Sequence, residues 1–260
     1  MKSTPLSAVI TTFNSAATLG RCLDSVAFAD EVLVADSGST DATLALCSAA
    51  GARVVQIPFA TYRQKKRDAI AAATHPWVLL LDSDEWLQPE ASGAIRTWLS
   101  SASDKHGARL PRIERIFWRY AAAATRHNTF LRLFRRDLMQ MSNCSVHAAP
   151  TVPGSVATLK SACIVHEGEP SVAVKVDKIN QYSTGLASDR LHKARWVRTR
   201  MLLDPPWTFL KSYLLRRQCL NGWAGFINSV TLAFYAFLRH AKVHEARCKA
   251  AQDQRPHRAP

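Results

Sequence analysis

The chain has 260 residues, 47 % of them hydrophobic and 21 % charged. That is enough for one large domain, or a domain with an appendage, and too apolar for global disorder. Its formal net charge of +14 is uneven: residues 1–104 carry eight Lys/Arg against eleven Asp/Glu, and residues 105–260 carry 26 against nine. The basic character belongs to the second part alone, where it calls for an anionic partner such as nucleic acid, acidic lipid head groups or a phosphorylated glycan.

Leu6 to Thr12 reads as a first strand, ended by Phe13-Asn14-Ser15, with Asn14 or Ser15 placed to cap a helix over Ala16 to Ala27. Glu31 to Asp36 is a second strand that ends in an acid. Ser37-Gly38-Ser39-Thr40-Asp41 is a turn capping a helix over Ala42 to Ala50, with Gly51 at the C-cap. Arg53 to Pro58 is a third strand, and a helix over Thr61 to Ala73 carries Arg63, Lys65, Lys66 and Arg67 near its start. Trp77-Val78-Leu79-Leu80-Leu81 then reads as a fully buried strand of a parallel sheet, delivering Asp82, Ser83, Asp84 and Glu85 at its end. The alternative for these acids is that they merely begin a surface loop and cap a helix around Pro89 to Leu99. This strand–helix rhythm gives an α/β fold with a parallel sheet covered on both faces.

Three strand ends, Thr11–Asn14, Asp36–Asp41 and Asp82–Asp84, converge along the edge where open α/β sheets bind ligands. Asp82 and Asp84 repel each other there unless a cation sits beside them, and a hard divalent ion carrying phosphates meets that need. No glycine-rich dinucleotide loop or Walker lysine loop is present, so a nucleotide would be held by carboxylates and a metal.

These segments carry a family resemblance. Ile10-Thr11-Thr12-Phe13-Asn14, Asp36-Ser37-Gly38-Ser39-Thr40-Asp41 and Leu81-Asp82-Ser83-Asp84-Glu85 resemble the sequential motifs of family 2, GT-A-type glycosyltransferases, and Gln64-Lys65-Lys66-Arg67-Asp68-Ala69 resembles that family's basic helix start. Phe130-Leu131-Arg132-Leu133-Phe134-Arg135-Arg136, the Val-His pairs, Phe209 to Tyr213 and Asn221 to Phe226 resemble a bacterial subgroup that builds the lipopolysaccharide core. The resemblance runs from about Leu6 to Arg239. It implies a GT-A-type, Rossmann-like, mostly parallel sheet flanked by helices, with a helical C-terminal appendage. It also implies a nucleotide-sugar site: Thr11 and Asn14 along base and ribose, Asp36 accepting from the base, and Asp41 holding the turn. Asp82, with Ser83 beside it, and Asp84 would bind ribose and a Mg²⁺ or Mn²⁺ on the diphosphate, with Lys66 or Arg67 at the phosphates.

Arg112 to Trp118 and Phe130 to Phe134 read as strand-like pieces that complete the sheet and form the acceptor wall, with Arg132, Arg135 and Arg136 available to acceptor phosphates. An inverting transfer needs a general base, usually a carboxylate. The subgroup's Val-His-Glu is here Val146-His147-Ala148, without its acid, whereas Val165-His166-Glu167 retains one. The base candidates are Glu167, Asp137 and Glu114, in that order.

Beyond Pro170 the chain turns helical: Val174 to Leu191, then a basic stretch over Asp189 to Arg200, a break at Pro205-Pro206, and an apolar run from Cys219 to Leu238. That run approaches the length of a spanning helix. Asn221, Asn228 and Ser229 interrupt it, and they would be costly in hydrocarbon. With Trp207, Trp223, Tyr213, Tyr235 and flanking cations, the segment suits helices lying in an anionic membrane interface, with the polar positions at the head groups; a core helix or a spanning helix are the alternatives. His240 and His244 lack a third metal ligand and read as a solvated basic face. The division expected is a nucleotide-sugar-binding half over 1–104, its acceptor-side completion over 105–170, a basic membrane-interface region over 171–246 and a disordered tail over 247–260.

The six cysteines form no Cys-x-x-Cys pair and read as reduced thiols, and Leu6–Thr12 is too short and polar for a signal-peptide core. A cytoplasmic enzyme, peripheral on the inner face of the plasma membrane, is therefore expected. It would transfer a sugar, UDP-hexose ahead of ADP-heptose, to a lipopolysaccharide core or other lipid-linked acceptor. Transfer to a polyprenyl phosphate is the alternative, since that acceptor is already anionic. A basic nucleic-acid-binding protein is the reading from another class, but no recognised binding motif accompanies the cations and acidic strand ends would serve no purpose there, so no nucleic acid partner is expected.

Overall fold

The computed structural model describes residues 4–101, 104–142, 149–190 and 195–253. The chain divides into two compact units, one of residues 1–114 and 127–168, the other of residues 115–126 and 169–260.

The first unit is built on a mixed sheet. β1 (Leu6–Thr12), α1 (Leu19–Val26), β2 (Glu31–Asp36), α2 (Thr43–Ala49), β3 (Arg53–Gln56), α3 (Tyr62–Ala71) and β4 (Trp77–Asp82) alternate as the apolar runs foretell. β5 (Glu85–Leu87), α4 (Ala91–Ser101), β6 (Gly107–Ile116) and β8 (Asn128–Arg135) follow, while β7 (Arg119–Tyr120), between the last two in the chain, belongs to the second unit. The short strands β9 (Gln140–Met141), β10 (Pro150–Thr151) and β11 (Val156–Thr158) precede β12 (Ile164–Glu169). The sheet order is β3-β2-β1-β4-β8-β6-β12-β5. β3, β2, β1 and β4 are mutually parallel, and β8 runs antiparallel to both β4 and β6.

Period-two alternation sorts the strand residues onto two cores. Ala8, Ile10, Val34, Leu79 and Leu81 pack with Leu19 and Leu23 of α1 and Ile95 of α4. Val9, Leu33, Val78 and Leu80 pack on the other face with Ala69 and Ile70 of α3. Gly51 has φ +65°, the left-handed conformation that ends α2 where the sequence expects it. α1 starts three residues later than expected, after Thr18, while Ser15 ties the preceding turn through its carbonyl, which accepts from Thr18 and Leu19 N–H.

The second unit is mainly helical: α5 (Val172–Arg190), α6 (Val197–Leu210), a π turn (Lys211–Leu215), a 3-10 turn (Gln218–Asn221) and α7 (Gly222–Asp253). Three sequence expectations change here. α6 runs straight through Pro205 and Pro206. Two prolines remove two backbone donors, but the carbonyls they abandon, those of Met201 and Leu202, lie on a stretch where Leu202 is 71 % exposed and an outside donor can serve. α7 continues past Arg247 to Asp253, through the first part of the expected tail. His240 is not on a solvated face: it is 4 % exposed and its Nε2 lies 2.7 Å from Asp204 Oδ2, in a cluster completed by Arg239.

Candidate active site

The register of three parallel strands assembles the site. β1 pairs Thr12 with Asp36 on one side and Thr11 with Asp82 on the other, which brings the three strand ends to one edge. Thr11 Oγ1 donates to Asp82 Oδ1 at 3.0 Å.

Asp36 is fully buried and accepts from the N–H groups of Gly38 and Ser39, both at 2.9 Å, and from Ser39 Oγ at 2.5 Å. Burial pushes its carboxyl up, but these donors outweigh it and hold the group below the ordinary aspartate range. The turn is cross-tied to the end of β1. Asn14, in left-handed backbone at φ +46°, accepts from Thr40 N–H through Oδ1 at 2.8 Å. Asp41 accepts from Ala16 and Thr43 N–H at 3.1 and 3.0 Å. Ser83 Oγ lies 2.7 Å from Ser15 Oγ.

Asp82 sits within a ring of cations. Lys66 Nζ is 2.8 Å from Oδ1 and 3.0 Å from Oδ2, and the Arg132 guanidinium donates to Oδ2 at 3.1 Å. Burial raises the Asp82 carboxyl, and Lys66 and Arg132 drive it far below the ordinary range. Beneath it lies Glu85, 0 % exposed. Its Oε1 receives Arg132 at 2.5 Å and Arg112 at 2.8 Å, and its Oε2 receives the Asp82 N–H at 3.1 Å. Arg112 also stacks over the Phe130 ring at 4.2 Å and pairs with Glu114 at 2.7 Å. Two buried polar atoms of this edge, Thr12 Oγ1 and Arg132 Nε, have no hydrogen-bond partner.

Asp84 is the open carboxylate, 42 % exposed. β12 runs antiparallel to β5 and sets His166 opposite Glu85. The imidazole bridges two acids, Nε2 at 3.2 Å from Asp84 Oδ2 and Nδ1 at 2.6 Å from Glu114 Oε2. Burial lowers the His166 pKa, but the two carboxylates raise it to about 9, so it is an imidazolium near neutral pH.

Of the residues expected at the site, Thr11, Asn14, Asp36, Asp41, Lys66, Asp82, Ser83 and Asp84 are brought together at this edge. Arg67 turns outward, 58 % exposed and paired with Asp68. Glu167 is beside the site: its N–H donates to the Asp84 carbonyl at 2.9 Å and its carboxylate lies 3.7 Å from Arg21. Asp137 is not at the site. It follows β8, whose Arg135 pairs with Trp77 at the opposite end of β4, and it is bound to Arg135 at 2.7 Å. Glu114 is adjacent but committed to His166 and Arg112. Of the three arginines offered to acceptor phosphates, only Arg132 is buried at this edge; Arg135 lies on the surface with Asp137. Val146-His147-Ala148 falls outside the described residues.

Sequence reasoning missed Glu85, Arg112 and His166 as site-building groups. Glu85 and Leu87 are buried on either side of half-buried Trp86, but that burial comes from pairing with β12 and left no signal in the local sequence.

A divalent ion fits part of this donor set. Among the described residues no three His, Cys, Asp or Glu groups form a ready metal cage. Asp84 offers hard oxygen donors, and His166, with Nδ1 anchored on Glu114, directs Nε2 to the same place once it loses its proton. Mg²⁺ and its relatives commonly take only one or two protein ligands and complete their shell with substrate phosphate and water.

A parallel sheet whose strand ends gather carboxylates, backed by lysine and arginine, places a polar ligand site at this edge. The chain belongs to Glycosyl transferase family 2, whose family profile matches residues 7–149, and it is a glycosyltransferase with the GT-A fold. It is 30 % identical over 253 residues to the lipopolysaccharide core biosynthesis glycosyltransferase LpsC of Rhizobium meliloti, covering 93 % of this chain and 92 % of that one. It is 31 % identical to a glycosyltransferase of Rickettsia bellii, covering 92 % of this chain and 86 % of that one. Among solved structures, glucosyl-3-phosphoglycerate synthase from Mycobacterium tuberculosis with Mn²⁺, UDP and phosphoglyceric acid aligns at TM-score 0.48 and 18 % identity, over 71 % of this chain and 78 % of that one.

Proposed function

We propose that this chain is an inverting, metal-dependent glycosyltransferase that moves a hexose from UDP-hexose to a lipopolysaccharide core or other lipid-linked glycan at the inner face of the plasma membrane. The observation that carries the reading is the pairing of Thr11 with Asp82, which sets an open Asp84 beside a carboxylate ringed by Lys66 and Arg132. The name of LpsC supports the acceptor class.

In this reading Thr11, Asn14 and Asp36 line the base and ribose, Asp41 keeps the turn, and Asp82 and Ser83 border the ribose and diphosphate. Asp84, with Asp82 and His166 beside it, would hold Mg²⁺ or Mn²⁺, which when bound neutralises charge on the diphosphate. Lys66 and Arg132 add fixed positive charge where the departing UDP gathers negative charge, so they act most strongly late in the transfer. Glu167 is the base: its carboxylate takes the acceptor hydroxyl proton as that oxygen attacks the anomeric carbon and the bond to the diphosphate oxygen breaks. Glu114 is less suited, because its two ion pairs hold its carboxyl low despite burial.

The test is a hydrolysis screen of UDP-, GDP- and ADP-sugars with Mg²⁺ and Mn²⁺, followed by transfer to purified core acceptor. UDP-hexose turnover that stops in chelator is expected. Full turnover in excess chelator, or turnover of none of the donors, overturns the reading.

A further inference from the structure

Within the second unit, the helices α6 and α7 pack inside out. The buried face of α7 is small and polar: Ala224, Asn228, Ser229 and Ala236 are all 9 % exposed or less. Ser229 Oγ bonds to Ser212 Oγ of the π turn at 2.9 Å and to the Gly225 carbonyl at 2.8 Å. Gly225 is there because nothing larger fits; a Cβ would lie 1.9 Å from the Gln218 carbonyl oxygen. Asn221, fully buried, accepts from Ala122 N–H and donates to Thr125 and Gln218. The sequence reading put these polar residues at lipid head groups; the structure instead buries them, with Asn221 and Ser229 hydrogen-bonded inside the unit.

The opposite face is large, apolar and uncovered. Trp223, Val230, Phe234 and Phe237 recur at helical spacing along α7 and are 75, 43, 44 and 38 % exposed. Leu203, Trp207, Leu210 and Leu214 do the same along α6 and the π turn, at 63, 58, 46 and 55 %. Phe226, edge-on to both Phe209 and Tyr213 with ring centroids 5.9 Å apart, joins the two stripes. A helix packed in water turns its apolar stripe inward. Small and hydroxyl residues inside with large apolar ones outside is how helices pack when their surroundings are apolar.

Charge selects the occupant. Between Trp196 and His244 there are seven Lys/Arg and one acid, Asp204, which Arg239 already neutralises at 2.9 Å. Arg198, Arg200, Lys211, Arg216 and Arg217 are exposed. Tryptophans on an apolar stripe bordered by cations match the head-group region of an anionic bilayer. No helix of the described residues is long and apolar enough to cross a membrane.

We propose that α6, the π turn and α7 form a monotopic membrane-docking surface that lies in the plane of an anionic bilayer, with the Leu203–Leu214 and Trp223–Phe237 stripes dipped below the head groups. This deepens the lipid-linked acceptor reading by naming the surface that holds the enzyme at its substrate, and its physical basis is independent of that reading.

The test is flotation of the full chain with phosphatidylethanolamine–phosphatidylglycerol vesicles and, separately, with phosphatidylcholine vesicles. The chain should float with the anionic vesicles, with tryptophan emission shifted to the blue and quenched by lipids brominated on the acyl chains. Trp223→Glu with Phe234→Glu should weaken binding by about a hundredfold or more, given the apolar area withdrawn. Arg216→Gln with Arg217→Gln should weaken it roughly 25-fold, at about fivefold per cation. Both pairs should leave UDP-sugar hydrolysis unchanged. No flotation, no quenching of the wild-type tryptophans, or self-association that buries these stripes and persists with vesicles overturns the proposal; the quenching arm needs no variant to fold. Flotation requires neither donor nor acceptor. A chain that floats but transfers no sugar refutes the acceptor reading alone, and one that glycosylates a detergent-solubilised acceptor but never floats refutes the surface alone.

Discussion

Replacing Glu85 with glutamine probes the foundation of the site. Glu85 is fully buried, and its Oε1 takes both Arg132 and Arg112 while its Oε2 takes the Asp82 N–H. Glu85→Gln keeps the shape and one acceptor oxygen but removes the charge shared by two guanidiniums. Breaking a buried pair from one side costs about 3–5 kcal/mol when the other charge is left alone. Here Arg132 retains Asp82 and Arg112 retains Glu114, so about 2–4 kcal/mol is the expected loss. At the roughly 2–4 °C per kcal/mol typical of a unit this size, Tm should fall by about 4–16 °C. Differential scanning calorimetry measures this, and a Glu85→Leu, Arg132→Leu pair should recover part of the loss because both charges leave together. Donor affinity should fall as well, since the Asp82 backbone loses its charged anchor. A Glu85→Gln protein that melts within about 2 °C of wild type would refute the view that this carboxylate braces the site.

Three further outcomes are expected. Asp36→Ala should weaken UDP binding by about 1–3 kcal/mol, the cost of a lost charged hydrogen-bond partner; calorimetric titration showing unchanged affinity removes Asp36 from the base site. Glu31 lies under donors from Ser7, Thr74 and Arg53, and although burial raises its carboxyl, they lower its pKa to about 2. Its folded pKa is thus below its unfolded value, so its stabilisation is complete above about pH 5 and disappears as pH falls toward 2. With a discount for the half-exposed Arg53, Glu31→Gln should cost about 1–3 kcal/mol near neutral pH and nothing near the acid limit, and urea titrations across that range showing a constant gap contradict it. Gly225→Ala forces a Cβ against a backbone carbonyl and should destabilise the second unit by about 1–3 kcal/mol, read as an earlier urea midpoint; an unchanged midpoint means the close approach of α7 to the 3-10 turn is not built as described.

The parallel half of the sheet was legible because its central strands are buried on both faces and carry apolar runs, Trp77–Leu81 of β4 above all and Ala8–Ile10 of β1. Once those strands were placed, the convergence of Thr11, Asp36 and Asp82 followed from topology. Glu85, Arg112 and His166 were not legible as a group because strand pairing unites them from positions tens of residues apart. Beside Asp84, Glu85 looks like one more loop acid, and its burial comes from the β5–β12 pairing, which no local pattern announces. In the second unit the helices were legible, but not which face was inside. Asn221, Asn228 and Ser229 look like interruptions of an apolar run; in three dimensions they are the interior, and the run itself is the surface.

The central claim is that the strand end at Asp82–Asp84 holds a nucleotide diphosphate through a divalent ion. Calorimetric titration of UDP into the wild-type chain and into Asp84→Ala, each with Mn²⁺ and then with excess chelator, tests it most directly. Wild-type binding that requires Mn²⁺, and its loss in a normally folded Asp84→Ala protein, is the expected result. Equal UDP affinity in all four titrations would contradict the claim.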